Sequence, residues 1–533
     1  MGNEHDDSRA VVPPGSSRFG RSGRVVSAVA LSVLLCPHEA RPAPAAPGGD
    51  PREAVLKIYA TQLSQNFGAP WKPGNSRTVS GSGFVVAGGR ILTNAHVVSN
   101  STFLQVRRYG ESERVAARVL FVSHEADLAL LTVDQPGFFD SIAPLPIGGL
   151  PELREDVLVL GFPLGGDTLS VTRGVVSRIE HQTYVHSKVD LLAGQIDSAV
   201  NPGNSGGPVL ADGAVVGVAM QVTNGADNIA YMVPTPVVEH FLTDVADGRF
   251  DGVPQAPFRW QRLEATDLRR KYELSPSQTG ILVLDTLGGS AAGKVLRAGD
   301  IVLSIDGQRL GTDGTIALRQ HERTDFSFLL QRRQMGDTVA VQVLREGLSL
   351  AVRLPLDTRV GSGKLVPGPL YGARPPYYIF GGMAFCPLTV NYLYAWGEEW
   401  WNRAPRHLLA LVARRARFEN EEPVVLCSIL PAELNSGYED AAEDLIVEAD
   451  DRAVRGLSHL VEIIESRETG LLVLKTHEGK QIVLDRERAR REGPAILARY
   501  QVSADRSAEL SAASSSGSWT TLTAATSQSL RGE

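Results

Sequence analysis

Cysteine is what this chain has least of: 3 residues in 533, at Cys36, Cys386 and Cys427. Thiols so few and so widely spaced make neither a disulfide framework nor a zinc-ligand pattern, so the fold must rest on packing, with no metal or cofactor expected. Long apolar runs are missing too. The run Val25 to Cys36 is short of the roughly 20 apolar residues that a membrane-crossing helix needs, and no integral span is expected. Excess charge of one sign is also absent. Lys and Arg number 53 against 60 Asp and Glu, a formal net charge of −7, which gives no general attraction to nucleic acid. What remains, 43% hydrophobic and 21% charged residues, is the composition of a soluble globular protein. The length exceeds one core and points to three or four domains at about 150 residues each.

The N-terminal stretch has its own texture. Arg18, Arg21 and Arg24 precede the apolar run, and a Pro/Ala stretch with Ala43-Pro44-Ala45 follows it. That is the layout of a signal or targeting segment. A disordered leader with one apolar patch gives the same letters, and Glu4, Asp6 and Asp7 stand ahead of the run. Residues 1–51 are expected to be one or the other. The compartment stays open between an organelle (chloroplast or mitochondrion), the secretory pathway and a soluble intracellular location, the nucleus included. Met1-Gly2-Asn3 opens like a myristoylation signal, but Asp6 stands where a hydroxyl residue is required.

From Arg52 the pattern is that of β structure. Val55 to Ala60, Gly83 to Val86, Arg90 to Thr93, Phe103 to Arg107, Arg118 to Val122 and Leu128 to Val133 are short β-branched, aromatic or alternating segments. Asp156 to Gly161, Gly174 to Ile179, Ala214 to Gln221 and Ile229 to Val233 continue the series. About a dozen short strands without helical periodicity between them predict barrels or a sandwich. Pro234 and Pro236 then open a predicted helix over Val237 to Val245, and Pro254 and Pro257 mark a linker.

The next region mixes strands with short helices. Its clearest piece runs from Gly299-Asp300 through Ile301 to Ile305 into the hairpin signal Asp306-Gly307. An echo follows 144 residues later: Glu443-Asp444, Leu445 to Ala449, then Asp450-Asp451. It keeps both aspartates of the frame and replaces both glycines, the mark of a diverged tandem duplication. Between the copies, Pro375 to Trp401 is dense in Tyr, Phe and Trp, which most often fill interfaces. After residue 505 the Ser/Thr/Ala-rich tail has too little apolar surface to fold. The expected divisions are therefore a leader to 51, a β domain over 52–250, a first mixed module over 258–356 and an aromatic-rich connector over 357–406. A second module over 407–508 and a disordered tail over 509–533 complete the chain.

The chemistry gathers at Asn201-Pro202-Gly203-Asn204-Ser205-Gly206-Gly207-Pro208. Gly, Pro and Asn force a tight turn, and one hydroxyl sits in its middle. A serine on a glycine-rich turn supplies a nucleophile and, through adjacent backbone N–H groups, an oxyanion hole. Such a nucleophile needs a base and the base an orienting carboxylate. His96 ends an apolar strand in Thr93-Asn94-Ala95-His96, and Asp127 is a lone acid heading Leu128 to Leu131. Taken singly, each is also what a core-edge histidine or a turn aspartate looks like. Together they give the chain order His, Asp, Ser, one of three known for the triad. An esterase elbow would place Ser first on a strand–turn–helix unit, and the surroundings here are β only.

These three segments resemble the signatures of the Deg/HtrA (DegP-like) serine proteases. Gly81-Ser82-Gly83-Phe84-Val85-Val86 and Gln195-Ile196-Asp197-Ser198-Ala199-Val200 are similar to that family too. Pro376 to Gly382, Leu434 to Asp440 and Val483 to Glu487 resemble the plant-type subgroup with a second, divergent PDZ domain. The likeness covers roughly residues 52 to 508. It implies a mainly β protein with α+β modules: a chymotrypsin-like double β-barrel, a PDZ domain and a second PDZ-like domain. It further implies His96, Asp127 and Ser205 as catalytic residues, and backbone N–H groups of Gly203 and Ser205 as the oxyanion hole. Gln221 to Asn228, with Ile229 behind them, would shape a pocket for an uncharged side chain. Thr279-Gly280-Ile281-Leu282 looks like the PDZ segment that receives a peptide C-terminus, with Thr279 in its first apolar position. In the second copy Glu422-Pro423 stands there, which suits packing against the protein itself or a neighbouring subunit better than peptide capture.

The activity implied is ATP-independent endoproteolysis of unfolded or damaged polypeptides by a homo-oligomer, with C-terminal peptides as partners of the first PDZ domain. A protein-binding chaperone or scaffold with a silent site remains the alternative reading.

Overall fold

The structure, a computed structural model, describes residues 49–198, 200–220, 230–397, 399–418 and 420–511. Nearly all of the expected leader, most of the expected tail and the loop Gln221 to Ile229 lie outside the described residues.

The first six strands are β1 (Val55–Gln65), β2 (Pro73–Val86), β3 (Arg90–Thr93), β4 (Ser101–Arg108), β5 (Val115–Ser123) and β6 (Leu128–Thr132). They close into a barrel in the order β1-β2-β3-β6-β5-β4. Closure removes every free edge, which is how a short-stranded β sequence avoids leaving backbone donors unpaired. The second barrel takes β7 (Asp156–Gly161), β8 (Ser170–Thr183), β9 (Asp190–Ile196), β10 (Pro208–Ala211), β11 (Ala214–Met220) and β12 (Ala230–Pro234). Its order, β10-β11-β12-β9-β8-β7, repeats the arrangement of the first. One continuous apolar core runs through both barrels, from Leu56, Ile58 and Phe84 to Val159, Val209 and Val218. The expected helix forms over Thr235–Asp244, starting at the prolines as their fixed φ allows.

Two smaller modules follow. The first contains β13 (Phe258–Arg262), β14 (Ile281–Thr286), β15 (Ile301–Ile305), β16 (Gln308–Arg309), β17 (Thr315–Arg319), β18 (Glu322–Asp325), β19 (Thr338–Arg345) and β20 (Leu348–Pro355). It docks on the second barrel. His181 on β8 places Nδ1 2.8 Å from Thr324 Oγ1 and Nε2 3.0 Å from Gln331 Oε1. Arg319 reaches the Leu150 carbonyl at 3.0 Å.

The second module contains β21 (Tyr378–Phe380), β22 (Met383–Pro387), β23 (Val424–Ile429), β24 (Leu445–Ala449), β25 (Arg452–Ala453), β26 (Leu471–Thr476) and β27 (Gln481–Asp485). Its first two strands come from the aromatic-rich stretch, whose rings fill the module's core and the adjoining one.

The two modules share one hydrogen-bond frame. In the first, Asp306 N donates to Ala340 O and Asp306 Oδ1 accepts from Ala340 N; in the second, Asp450 does the same with Val473. The replaced glycines keep their backbone: Glu443 and Asp451 have φ of 68° and 57°, where Gly299 and Gly307 have 93° and 78°. The sequence echo thus has a structural counterpart in the two sheets.

One site expectation is corrected here. Thr279-Gly280-Ile281-Leu282 has no edge on which a peptide strand adds. Ile281 and Leu282 pair with Arg262 and Gln261 of β13 on one side, and with Val302 and Ile301 of β15 on the other. Strand addition needs an unpaired edge, and the outer strand on that side of the sheet is β13.

The modules differ in how the shared aspartate is neutralised. Asp450 meets Arg486, which is fully buried, at 2.6 Å, and the same guanidinium donates to the carbonyls of Leu471 and Ile464. Asp306 meets Arg333, whose side chain is 47% exposed, also at 2.6 Å. Breaking a buried pair typically costs about 3–5 kcal/mol and an exposed one below about 1 kcal/mol. Arg486→Ala is thus expected to lower the unfolding midpoint of the full chain strongly in urea, and Arg333→Ala hardly at all. Equal shifts would contradict this account.

Candidate active site

His96 enters through a change of backbone at the end of β3. Asn94 is extended (φ −82°, ψ 148°), and the short helix Ala95–Val98 begins directly after it. That helix buries Ala95, Val97 and Val98 and leaves the imidazole on its remaining face, partly exposed. Asp127 sits in the turn before β6 with φ of 53°, a left-handed conformation that Asp tolerates better than most residues. Only 1% of it is exposed.

Both carboxylate oxygens of Asp127 are engaged by His96. Oδ2 lies 2.8 Å from Nδ1, and Oδ1 accepts the His96 backbone N–H at 2.9 Å. The Asp127 carbonyl accepts from Asn94 Nδ2 at 2.8 Å. Burial alone would push the Asp127 carboxyl up, but the charge and hydrogen bond of His96 outweigh it and hold the carboxyl below its usual range. Burial alone would likewise push the imidazole down, and the Asp127 charge and hydrogen bond raise it above its usual range. The second carboxylate bond fixes the ring's orientation, and the first holds the proton on Nδ1, leaving Nε2 free to accept another.

Ser205 lies in the turn joining β9 to β10. The turn is closed by Asn204 N donating to Asn201 O at 3.0 Å and Gly207 N donating to Asn204 O at 2.9 Å. Gly203 and Gly206 have φ of 101° and 83°. A Cβ on Gly206 would stand 2.2 Å from Ser82 O, 2.3 Å from Thr93 Oγ1 and 3.0 Å from Asn94 N. The glycine thus lets the serine turn lie directly against the turn that carries His96. The amide hydrogens of Gly203 and Ser205 donate to no acceptor among the described residues.

Ser82, on β2, holds this arrangement together. Its N–H donates to Ser205 O at 2.9 Å and its hydroxyl to Gly203 O at 2.8 Å, while Oγ accepts from Phe162 N at 2.8 Å. Thr93 Oγ1 donates to Ser82 O at 2.7 Å. One residue of the first barrel therefore ties the serine turn, the histidine strand and β7's exit together. Sequence reasoning quoted Gly81-Ser82-Gly83 without giving the hydroxyl a role; a serine between two glycines in a strand was the available signal. It missed His124, His186 and Tyr371 entirely, which stack beside the His96–Asp127 pair. The peptide segment Thr279 to Leu282 belongs to the first module's sheet and contributes nothing here. The loop Gln221 to Ile229, expected to shape a side-chain pocket, lies outside the described residues.

Comparison with known proteins agrees in architecture. A trypsin-like peptidase domain model matches residues 81–218 and a PDZ domain model residues 366–509. Protease Do-like 2, chloroplastic, of Arabidopsis thaliana is 38% identical over 462 residues, covering 86% of this chain and 75% of that protein. Protease Do-like 4, mitochondrial, of the same organism is 36% identical over 450 residues, covering 84% of each. Among solved structures, HtrA-type protease AlgW with decapeptide matches 57% of this chain and 95% of its own, at 22% identity and a TM-score of 0.44. With a trypsin-like double barrel, a PDZ domain behind it and relatives alike over most of their length, this chain belongs to the Deg/HtrA family and is a serine endopeptidase.

Proposed function

We propose that His96, Asp127 and Ser205 are the catalytic triad of this endopeptidase, and that it hydrolyses unfolded or damaged polypeptides without ATP, in protein quality control. The observation that carries the reading is the doubly bonded His96–Asp127 pair set against a serine turn with two amides that meet no acceptor among the described residues. His96 Nε2 takes the proton as Ser205 Oγ attacks the peptide carbonyl carbon. The C–N bond then breaks, the proton passes to the leaving amine, and water repeats the sequence on the acyl-enzyme. The N–H groups of Gly203 and Ser205 carry the oxyanion, each such donor typically contributing about 2.7–4 kcal/mol. No step needs a cofactor.

The domain limits assigned are 52–250 for the protease, 258–356 for the first PDZ domain and 407–508 for the second, which borrows β21 and β22 from the connector 357–406. A homo-oligomer is part of the same reading. A silent site in a chaperone is the competing outcome, separated by the tests below.

Cleavage of unfolded casein by the full chain is expected to vanish in Ser205→Ala at unchanged far-UV dichroism. Residual cleavage equal to the parent would sink the triad, and suppression of aggregation by an inactive parent would favour the chaperone. Asp127→Asn removes the group that fixes the tautomer, so kcat should drop by about 10⁴.

Because His96 must be neutral to accept a proton and its pKa is raised, kcat/KM should climb with pH through a midpoint above the ordinary value of about 6.5. A midpoint at or below that value contradicts the pairing. In Gly203→Ala the new Cβ would stand 2.5 Å from Phe162 O and 2.6 Å from Leu164 N. The turn must then shift, and turnover should fall by about 10². Unchanged turnover would remove Gly203 from the oxyanion hole.

A further inference from the structure

Beside the His96–Asp127 pair lies a cluster that hydrolysis itself does not use. His124 sits three residues ahead of Asp127, whose N–H donates to the His124 carbonyl at 3.4 Å. Its Nδ1 lies 2.9 Å from Nε2 of His186, in the loop between β8 and β9, so the two rings bridge the first barrel to the second. Tyr371, from the segment between β20 and β21, lies nearly flat on both rings. Its ring centroid is 4.1 Å from that of His186, at 22°, and 4.5 Å from that of His124, at 28°. Its hydroxyl donates to the His186 carbonyl at 2.7 Å. The segment is pinned on either side of the ring. Leu370 exchanges hydrogen bonds of 2.7 and 2.9 Å with Asn391 of the second module, and Gly372 N donates to Asn100 Oδ1 of the first barrel at 2.6 Å. The His186 ring stands 6.2 Å from that of His96.

We propose that Tyr371 is a positioning residue for His96: its ring seals the seam between the barrels and fixes the imidazole packing behind the His96–Asp127 pair. The inference rests on the triad reading above.

A hydrogen bond between two imidazoles needs one donor and one acceptor, so the bridge is lost once both rings are protonated and is secure while both are neutral. Burial holds them so, pushing His124 down to about 4 and His186 to about 3. Glu125 and Asp127 face the cluster and favour its protonation, while Arg359, Lys188 and His96 oppose it. Tyr394 faces Tyr371 from the second module. Removing the Tyr371 ring admits water, lets both histidines return toward about 6.5 and breaks the bridge between barrels once both are protonated and neither can accept. A charged His186 would then oppose the imidazolium that His96 must become during attack. Packing alone would predict none of this pH dependence.

The test uses the full chain and its Tyr371→Ala, Tyr371→Leu and Tyr371→Phe variants, with kcat, KM and the pH profile of kcat/KM measured on a fluorogenic unfolded casein. The rate at which an organophosphorus fluoride labels Ser205 reports the nucleophile directly. Tyr371→Ala is expected to lower kcat and the labelling rate about ten-fold with KM within about two-fold, and to steepen the acid limb beyond one proton. Tyr371→Leu, which retains bulk without stacking, should do the same and serves where the alanine variant does not fold. Tyr371→Phe retains the stack and should keep the parent limb. Parent kcat and a one-proton limb in a folded Tyr371→Ala or Tyr371→Leu protein would overturn the positioning role while leaving the triad standing. Cleavage persisting in Ser205→Ala would instead overturn the triad.

Discussion

Asp127 carries its charge at 1% exposure, and a buried carboxylate is tolerated only where its oxygens are occupied and an opposite charge is within reach. Here one short helix turn supplies both: the His96 backbone N–H takes one oxygen and its ring the other. That pairing dictates much around it. The helix Ala95–Val98 must begin where β3 ends, Asn94 must be extended, and the Asp127 backbone must be left-handed. The cost of the buried charge is thereby converted into a fixed tautomer.

The second barrel meets this pair through hydrogen bonds that the first barrel supplies. Ser82 is buried and spends its N–H and its hydroxyl across the junction, while its carbonyl accepts from Thr93 of its own barrel. The two halves are thus held in register by one small polar side chain as well as by the apolar core they share. Charge stays on Asp127, and positional accuracy comes from neutral groups, which cost less to bury.

Legibility followed chemistry more than geometry. His96, Asp127 and Ser205 stood out because a lone titratable or nucleophilic residue at the end of an apolar strand is rare, and Arg90–Thr93 and Asp156–Gly161 form strands with the predicted bounds. The first half of β2 was missed because Pro73 to Ser80 are largely polar and exposed, and their pairing with β1 is backbone chemistry without an apolar signature. β10 escaped because it is four residues long and starts at proline. Thr279 to Leu282 misled for a topological reason. A glycine between apolar residues looks the same in a central strand as at an open edge, and only the pairing of β13 outside β14 tells them apart. Tyr371 was beyond reach, since nothing local in the sequence relates it to rings 185 and 247 positions earlier.

The duplicated modules show what divergence does to a common frame. Both keep the aspartate that closes the hairpin, yet the first is neutralised by a half-exposed arginine and the second by a fully buried one. Their outer surfaces diverge further. In the first module, Thr324, Ser327 and Gln331 face His181 of the barrel. In the second, the outer edge of β21 is taken by the chain itself: Ile379 N donates to Asp505 O at 2.6 Å, and Ser507 N to Tyr377 O at 3.0 Å. Arg506, between them, pairs with Glu465 at 2.6 Å and lies over the Tyr378 ring at 5.0 Å. Leu510 is fully buried in the same core. Any strand added at β21 must therefore displace these backbone bonds and expose a leucine, whose burial alone is worth about 1.5–3 kcal/mol. Duplication kept the sheet and reassigned its edges.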